Sequence, residues 1–187
     1  YQGTSTMNMA FNLSQEPWND IRVRRAVHLA LNRQNMVNVA WEGLGRVGGV
    51  LDPASRYGIP VEELLKRPGY RPGKEADIAE AKRLLAEAGY AKGLKSTVLT
   101  RRIRSYERPA IVAKDDLASI GIDLTVDLKE DAAYYELASA RAFGIAVAGA
   151  NTLLGDPDEI IGYLYLSNLP RNYAGYSNPK VDELHLK

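Results

Sequence analysis

Three of the four guanidinium side chains in the stretch RRIRSYERP, Arg101, Arg102 and Arg104, stand at its start. They follow STVLT, a short apolar and β-branched run that predicts a strand, so they stand at its carboxyl end in a predicted loop. That end of a strand is where α/β folds present ligand contacts. A guanidinium grips a carboxylate through two parallel N–H donors, which makes this loop a candidate holder of an anionic ligand group. The competing reading is a solvated basic loop paired with nearby acids. A second cluster, RNYAGYSN, brings together Asn172, Tyr173, Tyr176 and Asn178. Such polar aromatics suit either the lining of a wet cleft or the covering of a core edge.

Other chemistry is poorly provided for. His28 and His185 are the only histidines; they lie far apart, and neither has a second nitrogen ligand at metal spacing. The absence of cysteine excludes disulfides, zinc–thiolate sites and thiol nucleophiles. GLGRVGG is glycine-rich, but it follows a predicted helix and lacks the lysine-serine ending of a phosphate loop. No G-x-S-x-G elbow is present. The acids of DPDE, beginning at Asp156, fall at a predicted helix start, where carboxylates satisfy backbone donors and the helix dipole. Lys and Arg number 24 against 23 Asp and Glu, so the basic excess of a nucleic-acid binder is missing from the overall count. No metal or cofactor is expected.

The elements that position these residues are legible from spacing. TMNMAFNLS alternates as a half-buried strand. Asp20 and Asn32 are cap candidates for two successive helices, the first with Val23, Ala26, Val27 and Ala30 as its apolar face. Residues 50 to 73 carry four prolines and read as a long irregular connection with one short turn at VEELLK. DIAEAKRLLAEAGY is a helix with Asp77 as cap candidate and Gly89 as its stop. Then come the STVLT strand, a helix at AIVAKDDLASIG and an alternating strand at IDLTVDL. A helix at AAYYELASA, a buried strand at FGIAVAG and a helix after DPDE complete the order. Helices and strands alternate from residue 77 onward, which predicts α/β architecture with a mixed sheet flanked by helices. The 187 residues, 45% apolar and 25% charged, suit one domain or one lobe of a larger protein. A last helix that starts at SNPKVDEL and stops two turns on reads as a chain that continues further. No run approaches the ~18 consecutive apolar residues of a membrane span.

Several motifs in series carry a resemblance. FNLSQEPWNDIRVRRAVHLALNRQNMV, ADIAEAKRLLAEAGY, LASIGIDLTV, GDPDE and NYAGYSNPKVDEL are similar, in order and approximate spacing, to signatures of the family 5 extracellular solute-binding proteins, the receptors of ABC importers for peptides or nickel. The resemblance implies one lobe of a two-lobe periplasmic-binding-protein type II fold. Residues 1–187 would form most of the C-terminal lobe, with the first lobe and a C-terminal return segment outside this sequence. It implies extracytoplasmic capture of a small, peptide-like solute between two lobes, delivery to a membrane permease, and no catalysis or nucleic-acid partner. Arg101 or Arg102 matches the arginine that holds a peptide carboxylate in the family. Arg104, Asn151, Thr152, Asp156 and Tyr173 complete the expected ligand-binding set with Leu153. Leu153 stands where peptide-binding members have an amine-holding aspartate, which opens the expectation to solutes without a free amine. The alternative is a non-catalytic lobe of an α/β enzyme whose active-site residues lie outside residues 1–187. The cationic helix of residues 21–30 is expected to be architecture, its arginines lying on the surface.

Overall fold

A computed structural model describes residues 4–152 and 156–185. Strand β1 (Thr4–Phe11) precedes helices α1 (Ile21–Ala30), α2 (Arg33–Ala40), α3 (Val61–Leu64) and α4 (Glu75–Glu87). There follow β2 (Leu94–Arg101), α5 (Arg104–Ala118), β3 (Ile122–Lys129), α6 (Asp131–Ser139), β4 (Ile145–Thr152), α7 (Pro157–Leu164) and α8 (Pro179–His185). The sheet order is β1-β4-β2-β3. β2 lies parallel to both β3 and β4, whereas β1 closes the far edge antiparallel to β4. The expected mixed sheet is present.

The topology decides which side chains gather at each end of the sheet. From β2 the chain moves outward through α5 to β3, then returns through α6 across β2 to β4. Right-handed crossovers in opposite directions place α5 and α6 on opposite faces. Side-chain alternation agrees with this. Val98, Ile122, Leu124, Ile145 and Val147 join the core that α1, α4 and α5 cover. Leu99, Ala146 and Ala148 join a smaller cluster with Tyr134 and Ala138 of α6 and with Tyr173. All three parallel strands therefore end at one edge, with the starts of α5, α6 and α7 beyond them.

Local chemistry explains most element boundaries. Asp20 caps α1 by accepting from the Arg22 backbone N–H at 2.8 Å, and Asn32 caps α2 through Asn35 at 3.0 Å. Gly89 and Gly121 take positive φ just past α4 and α5, where a side chain would be strained. Two expectations are corrected. Asp77 is no cap: α4 starts at Glu75, and Asp77 lies buried in its first turn, accepting from the Gly69 N–H at 2.7 Å and pairing with Arg71 and Lys74. RRIRSYERP is mostly helix rather than loop, because α5 begins at Arg104 and contains Pro109. Pro109 cannot donate to the Ser105 carbonyl, and Ser105 is exposed, where water can reach that acceptor.

Two of the three arginines of the cationic first helix make contacts within the lobe. They fasten neighbouring backbone: Arg22 donates to the Glu87 carbonyl at 2.7 Å and Arg24 to the Trp18 carbonyl at 2.6 Å. Beside them Arg33 donates to the Gly69 carbonyl at 2.6 Å and stacks over Tyr70 at 4.3 Å. Arg33, Lys74 and Asp77 thereby hold the irregular segment before α4 against the helical layer.

Candidate functional site

The carboxyl edge of the sheet gathers the arginines. Arg101 is the last residue of β2, and the parallel register of Leu99 with Ala146 puts it level with Ala148 of β4. Its side chain is largely covered. Asp131, the first residue of α6, takes both Nε and Nη2, the Nε–Oδ1 distance being 2.8 Å. The guanidinium also lies over Tyr106 of α5 at 4.6 Å and near Tyr135 of α6 at 5.3 Å. Thr100, fully buried, donates its hydroxyl to the Tyr106 carbonyl at 3.0 Å, which ties the strand end to the helix carrying that ring. Arg101 raises no ambiguity of charge: the Asp131 carboxylate pushes its pKa up still further, while Arg101 holds the Asp131 carboxyl below the usual range.

The other expected residues are distributed unevenly. Arg102 is exposed and pairs with Glu130 at 2.9 Å, and Arg104 is exposed at the first position of α5. Asn151 and Thr152 are not loop residues but the last two of β4, paired with Ser5 and Thr4. Asn151 is exposed there. Leu153 lies outside the described residues. Asp156 caps α7, accepting from the Asp158 N–H at 2.9 Å, so capping is its observed role. Tyr173 is buried against Leu99, Phe143 and Ala146, and that burial pushes its phenol pKa up. It covers a core edge. Asn172 is buried beside it and fixes the loop by donating to the Leu166 and Tyr176 carbonyls at 3.0 and 2.6 Å.

Several edge residues were not signalled by the sequence. Asp131 and Glu130 engage Arg101 and Arg102, and Tyr106 and Tyr135 frame Arg101. Arg171 lies over Tyr135 at 5.1 Å and over Tyr163 of α7 at 5.4 Å. The two guanidiniums of Arg101 and Arg171 thus share one tyrosine ring. An open hollow of about 360 Å³ lies elsewhere, lined by Gln15, Thr97, Leu99, Asp127, Phe143 and Gly144 toward the amino end of β4.

The carboxyl edge of this mixed α/β lobe thus collects arginine and tyrosine side chains, and a guanidinium is a group able to hold a carboxylate. Comparison with known proteins identifies the family. The sequence profile of the bacterial extracellular solute-binding proteins, family 5 Middle, matches residues 1–170, and the chain belongs to that family. Membership places it among binding proteins that act outside the cytoplasm. It is 26% identical over 162 residues to di/tripeptide-binding protein 1 of Pseudomonas aeruginosa, covering 84% of this chain and 29% of that protein. It is 30% identical over 185 residues to the glutathione-binding protein GsiB of Salmonella choleraesuis, covering 93% of this chain and 34% of that protein. The chain therefore spans about a third of the length of these curated relatives. The fold matches that of Haemophilus influenzae OppA, solved in complex with the peptide RPPGFSPFR. The TM-score is 0.80 at 24% identity, over 96% of this chain and 35% of that one.

Proposed function

We propose that this chain forms one wall of the solute cleft in the substrate-binding component of an ABC importer. Residues 1–187 make up most of the C-terminal lobe; the first lobe and a return segment come from the remainder of the protein. The single observation that carries the reading is the family match across residues 1–170. The role is capture and hand-over to a membrane permease, without a reaction and without a nucleic-acid partner. Closure of two lobes on the solute links binding to a conformational state the permease can distinguish.

The solute class we infer is small and carboxylate-bearing, peptide-like in size. The arginine-rich carboxyl edge supports this, as do relatives named for di- and tripeptides and for glutathione. Within the expected set, Arg101 is the residue best placed to meet an anionic group, at a strand end beside two tyrosines. Arg102, Arg104, Asn151 and Thr152 border the same edge, and in the sequence Leu153 stands where peptide-binding members of the family have an amine-binding acid. Asp156 and Tyr173 support the wall by capping α7 and filling the core behind it.

Native mass spectrometry of the whole receptor purified from its own host tests this reading. A co-purified carboxylate-bearing solute, released on partial unfolding, is the expected result. A preparation that holds no such solute and binds none from an added peptide panel would contradict it.

A further inference from the structure

We propose that Arg171, held among tyrosines from three segments, supplies the guanidinium that binds the anionic group of the solute. The proposal rests on the cleft reading above and names a residue of that wall outside the expected set. Among the described residues Arg101 and Arg102 each already grip a carboxylate, Asp131 and Glu130. Arg171 makes no ion pair within 4.0 Å there. Its guanidinium instead lies over the faces of Tyr135 and Tyr163, 5.1 and 5.4 Å from the ring centroids. The neighbouring Tyr173 also feels its charge.

A cation partly covered by aromatic faces keeps its full charge but has less water to screen it, which strengthens its pull on an arriving anion. The stacking also fixes the plane of the guanidinium, so little side-chain entropy remains to be lost when a carboxylate docks on its edge. The position is right as well. Tyr135 is shared with Arg101 at the end of β2, and Tyr163 belongs to the helix that follows β4. A carboxylate reaching Arg101 has to displace Asp131 from a two-pronged pair, whereas one reaching Arg171 displaces no acid. Arg101 then serves as a fixed positive neighbour and Arg171 as the grip.

The alternative role for Arg171 is a strut between α6 and α7, and the two roles separate in a binding experiment. Isothermal titration calorimetry of the whole receptor would use Ala-Phe, Ala-Ala-Phe, and C-terminally amidated forms of both. Wild-type protein is expected to prefer the free acids. Arg171→Gln should weaken acid binding by at least about tenfold, the scale of a lost charged hydrogen bond, and erase the preference over the amides. Arg171→Lys keeps the charge without the fork and should weaken acids by a smaller factor, with a melting temperature near that of wild type. Unchanged acid affinity in both variants would overturn the proposal, as would equal losses for acids and amides. Wild-type protein that binds none of the four probes would instead overturn the peptide-like reading of the cleft, and this proposal with it.

Discussion

Arg101 and Arg102 are adjacent in sequence and differ in what surrounds them. Arg101 is mostly covered, paired on two nitrogens and stacked on tyrosine; Arg102 is open to solvent with one exposed partner. An exposed ion pair contributes about 0–1 kcal/mol, so Arg102→Ala should leave stability unchanged and reduce solute affinity at most a few fold. Arg101→Ala should weaken it much more, because Tyr106, Tyr135 and Asp131 lose their common partner; calorimetry on the whole receptor checks the ranking. Equal effects would remove the distinction. The spacing of RRIRSYERP made Arg101 a candidate because a strand end is readable from its β-branched and apolar run. Arg171 could not be singled out in the same way. Its tyrosines come from α6 and α7, and only the crossover that returns β4 beside β2 brings them together.

At the scale of elements, the segment before α4 is held by charge rather than by regular structure. Asp77 is 2% exposed and faces Arg71, Lys74 and the Gly69 N–H. Asp77→Ala leaves two cations without their buried counter-charge and should cost about 3–5 kcal/mol of unfolding free energy in urea titrations. Gly69 has φ +85, and a Cβ there would stand 2.5 Å from the His28 ring, so Gly69→Ala should also lower the melting temperature. His28 contributes a pH dependence of definite sign. Partial desolvation, then the positive charge of Arg33, hold its pKa below 6.5. The unfolded chain therefore binds more protons, and this part of the stability is present above pH 6.5 and lost as the pH falls below it through the lower pKa of the folded state. Because the ring remains partly exposed the effect is modest, and His28→Gln should flatten the slope of melting temperature between pH 7 and 5. An unchanged slope would assign the dependence to other groups. Strand periodicity and cap residues made most of these elements readable in advance. The start of α5 was obscured by Pro109, a residue that ordinarily breaks a helix. The role of Asp77 was hidden because its partners lie in an irregular stretch with no periodicity.

For the whole molecule, the family match and the topology point the same way. Parallel strands β2, β3 and β4 end at one edge, and the arginines and tyrosines stand there. If that edge is one wall of a two-sided cleft, residues 1–187 alone should bind the receptor's solute far more weakly than the whole protein, by about a hundredfold or more if half the contacts are lost. Tight binding by the isolated lobe would contradict a shared cleft. The central claim, that the carboxyl edge of this sheet is the solute-facing surface, is tested most directly by hydrogen–deuterium exchange of the whole receptor with and without its co-purified solute. Solute binding should protect the amides of residues 101–106, 131–135 and 163–173, with little change on the α1–α4 side of the lobe. Protection concentrated on α1 and α4, or around the hollow lined by Thr97 and Asp127, with the arginine edge unchanged, would contradict it.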